Sequence, residues 1–226
     1  MIRRDYILRM IEECIQALTQ IRALRQGRRW EEARQAVDAQ CEKLAAAGAR
    51  HLAQLSETEL LARLAQDQPT QTVRARLFLV ISLLQEAGEI AAAEGRVADA
   101  REVYLKALHL LLDVSAQNDD GEHPAFVPRV EVLVQALAGA PLPVRTQVML
   151  MRHYESTGQL AKAEDTLYSI LEAMEYDPAS LEFGAAFYER ILRQSDAMLM
   201  DGNLPRAEAE EGLRELKGRR GANPLL

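Results

Sequence analysis

Residues 88–107 read Gly88-Glu89-Ile90-Ala91-Ala92-Ala93-Glu94-Gly95-Arg96-Val97-Ala98-Asp99-Ala100-Arg101-Glu102-Val103-Tyr104-Leu105-Lys106-Ala107. The pattern predicts a long helix over about 72–94, a stop at Gly95 and a second helix from Val97 to Asp113. Gly88, Gly95, Ala100, Tyr104 and Ala107 follow one another at intervals of 7, 5, 4 and 3. Each residue type has a steric reason to be where it is. Gly88 lets the second helix cross close to the first, and Gly95 makes the turn. Ala100 and Ala107 are small where helices touch, and Tyr104 fills the space between adjacent pairs.

Working outward, the rest of the chain reads as more helices of the same kind. Over residues 3–26, Ile7, Ile11, Cys14, Leu18 and Ile21 form an apolar stripe that Leu8 and Ile15 widen, with Gly27 as the stop. A second helix runs from Trp30 to Ala47 and ends at Gly48. Ser56-Glu57-Thr58-Glu59 is a capping box opening a short third helix. After Ser115–Pro124, further helices are expected near 126–138, 144–157, 160–175, 179–200 and 204–217, with a break at Gly139-Ala140-Pro141-Leu142-Pro143. That makes about ten helices and no strand, an all-α chain. The acidic loop 115–124 is the expected boundary between halves 1–114 and 125–217, and 218–226 is the expected flexible tail.

The spacing at 88–107 is similar to the tetratricopeptide repeat, a helix–turn–helix unit, here spanning about 81–114 with Leu112 at the family's proline position. A second match spans about 144–177. It keeps Tyr154, Gly158, Ala163 and Leu167 and ends near Asp177-Pro178, with Met151 and Ile170 replacing small residues. Gly202 followed by Ala207 is a weaker echo. Gly27-Arg28-Arg29-Trp30-Glu31-Glu32-Ala33 resembles a degenerate first repeat, one residue out of register. The opening Met1-Ile2-Arg3-Arg4-Asp5-Tyr6-Ile7-Leu8-Arg9-Met10-Ile11-Glu12-Glu13 resembles the start of an uncharacterised bacterial family, a domain of unknown function with tetratricopeptide-like helices.

The resemblance implies one continuous right-handed solenoid of helical hairpins, with a concave groove that holds a peptide or a partner helix. Its groove positions fall near Ser82, Gln85, Glu89 and Ala92 in one repeat. In the other they fall near Arg145, Val148, Met149, Arg152 and Glu155. The form that clamps a C-terminal carboxylate carries a lysine and asparagines at such places. Gln85 and Glu89 depart from that pattern and argue against chaperone-tail binding. Arg145 and Arg152, two turns apart on one helical face, are suited to acidic side chains of a partner.

Composition narrows the classes further. The chain has 226 residues, 48% hydrophobic but only 5% aromatic, with 12 glycines, 8 prolines and a net charge of −7. This excludes a disulfide scaffold, a collagen-like chain and a disordered one, and argues against nucleic acid as the main partner. The basic patch of Arg22, Arg25, Arg28, Arg29 and Arg34 has only Trp30 as a neighbouring aromatic. No apolar run is long enough for a membrane span or a secretory h-region. Cys14 and Cys41 lack a CxxC partner and read as buried thiols. A cytoplasmic protein is expected.

Chemistry-bearing motifs are sparse. Asn118, Asp120 and Gly121 fit a calcium loop, but Ala116 and Val127 occupy the positions of its first and last ligands. Asp119, Glu122 and His123 complete an acidic linker rather than a metal site. His51, His109 and His153 have no ligand at metal spacing, and neither a phosphate loop nor a nucleophile elbow is present. The exposed glutamate pairs read as solvated helix faces, and the methionines of the second half as core. No metal and no cofactor is expected. The expected function is therefore a non-catalytic binding scaffold or adaptor. A structural homo-oligomer assembled through helix 3–26 is the alternative, and an enzyme with a site formed only in three dimensions is a remote one.

Overall fold

The structure, a computed structural model, describes residues 2–66, 69–116 and 123–222. Asn118, Asp119, Asp120, Gly121 and Glu122 of the expected acidic loop lie outside the described residues, as do the last four residues of the chain. Twelve helices and no strand are found among the described residues. They are α1 Ile2–Gln26, α2 Trp30–Ala45, α3 Ala49–Gln54, α4 Glu57–Ala65, α5 Thr70–Ala93 and α6 Val97–Ala116. There follow α7 Val130–Ala136, α8 Val144–Ser156, α9 Leu160–Ala173, α10 Pro178–Ile191, α11 Asp196–Asp201 and α12 Arg206–Ala222. No helix among the described residues is long and apolar enough to cross a membrane.

The chain forms two compact units, residues 1–141 and 142–226. The division falls at the proline-rich break and not in the 115–124 loop, which lies inside the first unit. Side-chain anchoring explains the difference. Arg101 of α6 donates to the carbonyls of Leu137, Ala140 and Pro141. The Ser82 hydroxyl lies 3.1 Å from the Phe126 carbonyl, and Leu133 and Leu137 are fully buried. Phe126, α7 and the stretch up to Pro141 are thereby tied to α5 and α6.

In the first unit α5 is the central helix. Leu79, Val80, Ile81, Leu83 and Leu84 have no exposed surface. Each such side chain is worth roughly 1.5–3 kcal/mol of burial. Helix α5 packs against α1, α2, α4 and α6. The α1 stripe is buried at Cys14, Leu18 and Ile21, whereas Tyr6, Leu8 and Ile15 stay exposed. In the second unit α8 pairs with α9, and α10 packs on α12 around Leu167, Phe187, Tyr188 and Leu216.

Three hairpins share one turn. In α1–α2, α5–α6 and α8–α9 a single residue is left-handed: Arg28 (φ 57°), Gly95 (φ 75°) and Gly158 (φ 73°). The next amide reaches back five residues, Arg29 to Leu24, Arg96 to Ala91 and Gln159 to Tyr154, at 2.8–2.9 Å. This is the Schellman closure of a helix end. Five residues after each left-handed residue stands a buried alanine, Ala33, Ala100 or Ala163. The one-residue slip read at Gly27 thus disappears, because the turn residue is Arg28 and not Gly27. The α9–α10 and α11–α12 connections use the same bond, Tyr176 to Leu171 and Leu204 to Leu199, with Glu175 and Asn203 left-handed.

Several expected boundaries shift for local reasons. Helix α2 stops at a left-handed Ala46, and Gly48 instead begins the unexpected α3 in an extended conformation. A Cβ at Gly48 would sit 2.9 Å from the Asp38 carboxylate, which accepts the Ala49 amide at 2.8 Å. The expected helix 179–200 is two helices. Arg206 takes the Leu192 and Gln194 carbonyls at the end of α10, and Ser195 caps α11. Of the expected tail, residues 218–222 are helical. The Ser56–Glu59 capping box forms as predicted.

Candidate functional site

The expected groove residues have two different fates. On α5, Ser82 is buried, Gln85 and Glu89 are half-buried, and Glu89 is ion-paired with Arg25 of α1 at 3.6 Å. The neighbouring Glu86, which the sequence reading passed over, is only 2% exposed and lies 2.5 Å from Arg22 and 3.2 Å from Arg25. Gly88 has the role expected of it, since a Cβ there would stand 2.5 Å from Cε1 of the buried Tyr104. Burial, with the Glu89 carboxylate nearby, pushes the Tyr104 phenol up. Around Glu86 and Glu89 this face of α5 is therefore taken up by the chain's own α1, whereas Ser82 faces the Phe126 carbonyl and Ala92 is exposed.

On α8 the face is open. Arg145 and Arg152 are exposed, with Val148 and Met149 half-buried between them. Glu155 is held by Arg190 of α10 through two hydrogen bonds of 2.8 and 2.9 Å. Both arginines, and part of the apolar surface between them, are solvent-accessible.

A further site belongs to none of the sequence motifs. Helices α2, α3, α5 and α6 enclose a cleft of about 270 Å3. Its apolar floor includes Val37, Ile90, Ala91 and Val103, and its charged lining is Arg34, Asp38, Arg50, Arg96, Asp99 and Glu102. Arg96 is committed, donating to Asp99 at 2.8 Å and to Glu94 at 3.1 Å, and both carboxylates hold its guanidinium charged. Asp38 is occupied by the Ala49 amide. Arg50, by contrast, makes one ion pair, with Asp99 at 3.6 Å, and Glu102 makes no hydrogen bond or ion pair among the described residues. The local signals for this site are the Arg34/Asp38 pair, one turn apart on α2, and Arg96, Asp99 and Glu102 at intervals of three. The charges outside α2 come from α3, through Arg50, and from residues 96–102 at the start of α6, and no spacing reports that these meet α2.

Other polar clusters close the structure. Lys106 is buried, donating to the Leu55 carbonyl and to Glu57 at 3.3 Å, with His109 3.4 Å from the same carboxylate. It ties the α3–α4 connection to α6. Ser115 Oγ lies 2.9 Å from His123 Nε2. That hydroxyl is also 2.7 Å from the Leu111 carbonyl of its own helix, which makes it a helix back-bond more than a nucleophile. Burial, with Arg74 nearby, holds the His123 imidazole below its ordinary range. Burial pushes the Cys14 thiol up to about 11 and raises Cys41 as well, so both are neutral thiols. Among the described residues no group of three or more His, Cys, Asp or Glu is placed to hold a metal ion.

Residues 1–221 match a family of unknown function, DUF6483. The chain belongs to that family. No curated protein and no solved structure matches it. Membership in DUF6483 brings no activity with it, so the function of this member has to be argued from its own surfaces.

Proposed function

We propose that the chain is a non-catalytic protein-binding scaffold built of tetratricopeptide-like helical hairpins, presenting α8 to an acidic peptide or partner helix. The observation that carries this reading is the outward face of α8. Arg145 and Arg152 stand two turns apart over half-buried Val148 and Met149, an arrangement suited to bidentate pairing with carboxylates around an apolar contact. The solenoid reading draws support from the turn and buried alanine common to the α1–α2, α5–α6 and α8–α9 hairpins. The same reading places the chain in the bacterial cytoplasm, where two buried thiols with no disulfide between them are the ordinary state.

Affinity capture from a bacterial lysate at low and high salt, read by mass spectrometry, tests it. The native bait is compared with an Arg145→Glu/Arg152→Glu bait. A protein held by the native bait, lost with the double variant and weakened by salt is the expected result. Retention that ignores both substitutions removes α8 as the recognition face. A second reading, self-association through α1, rests on the exposure of Tyr6, Leu8 and Ile15. Light scattering on a Leu8→Glu/Ile15→Glu variant decides it, because a dimer falls to monomer mass whereas a monomer keeps its mass.

A further inference from the structure

The cleft between α2, α3, α5 and α6 lies in the first unit and owes nothing to the α8 reading. Its lining carries three arginines and three carboxylates around an apolar floor, so its formal charge is zero although its rim is charged. A ligand with a net charge of either sign would meet like charges on the rim. One that carries both signs is complementary to both halves of the lining. At about 270 Å3 the cleft lies just under the size range of small-molecule sites, which selects a ligand smaller than a nucleotide or a drug.

Two side chains have spare capacity. Arg50 is 72% exposed in its side chain and makes its one ion pair at 3.6 Å, leaving its planar fork of donors available to a carboxylate. Glu102 is half-buried with no hydrogen bond or ion pair among the described residues. Its carboxylate is committed to no donor among them and stays open to an incoming ammonium group. The floor of Val37, Ile90, Ala91 and Val103 supplies contact for an aliphatic side chain.

We propose that this cleft binds a small zwitterion with an aliphatic side chain, a free α-amino acid or a dipeptide. Arg50 takes its carboxylate, Glu102 takes its ammonium, and the Val37–Ile90–Val103 floor receives its side chain. Titration calorimetry on the full chain with L-leucine, leucyl-leucine, leucine amide and N-acetyl-leucine tests it. The amide lacks the carboxylate and the acetyl derivative lacks the ammonium. At least one of the two zwitterions is expected to bind, with both single-charge derivatives about ten-fold weaker or worse. Which zwitterion binds separates a free amino acid from a dipeptide. Arg50→Gln should abolish the preference over leucine amide, and Glu102→Gln the preference over N-acetyl-leucine. Circular dichroism of each variant confirms that it is folded. Absence of binding by both zwitterions at millimolar concentration, equal binding of the derivatives, or binding that survives both substitutions overturns the proposal.

Discussion

An alanine methyl at position 88 would sit 2.5 Å from Cε1 of Tyr104, whose ring is buried between α5 and α6. At Gly95 the same methyl meets open space, but the backbone is left-handed at φ 75°. The two glycines are therefore required for different reasons, one for space and one for conformation. Gly88→Ala is expected to destabilise the protein by about 1–3 kcal/mol through overpacking. Gly95→Ala is expected to cost about 1 kcal/mol through backbone strain. Urea midpoints measured in a Tyr104→Leu background separate the causes. Shrinking Tyr104 should remove most of the penalty at position 88 and leave the one at position 95 unchanged.

Among the elements, α9 and α10 meet at a half-buried carboxyl. Burial pushes Glu164 above its ordinary value of 4.5, against the opposing hydrogen bond from the Tyr188 hydroxyl at 2.5 Å. A carboxyl raised on folding destabilises the folded state once it ionises. The penalty is absent below the unfolded value and grows as pH rises through the folded one. Glu164→Gln keeps an oxygen for Tyr188 and removes the charge. Thermal unfolding should therefore show the variant more stable than the native chain at neutral pH, with the two converging below pH 4.5. A variant that is less stable at neutral pH would mean that the charged hydrogen bond outweighs burial. How legible such elements were depended on the range of the signals behind them. The long helices, the Ser56 capping box and the turn at Gly95 could be read because periodicity, caps and a left-handed glycine are local signals. The split of α10 from α11 could not, because it hangs on Arg206 reaching back to carbonyls more than ten residues away. The capture of Glu86 and Glu89 by α1, and the charged cleft, were equally hidden. Arg22 and Arg25 lie some sixty residues from the carboxylates they meet.

For the whole molecule, the division at Pro141–Leu142 gives the second unit a core of its own. It includes Leu150, Met151, Leu160, Leu167, Ile170, Phe187, Tyr188, Leu199 and Leu216. Residues 142–226 expressed alone are expected to be helical by circular dichroism and to melt in one cooperative transition. A fragment without a transition would show that this core does not suffice by itself. The left-handed turns have a different kind of consequence. Arg28, Ala46, Glu175 and Tyr176 hold positive φ angles where glycine would be unstrained. A hairpin count keyed on glycine therefore undercounts this chain, and that is how its first hairpin came to look out of register. The four positions also amount to a reserve of thermal stability that selection has left unused, with glycine at each one open to a designer who wants a hardier scaffold.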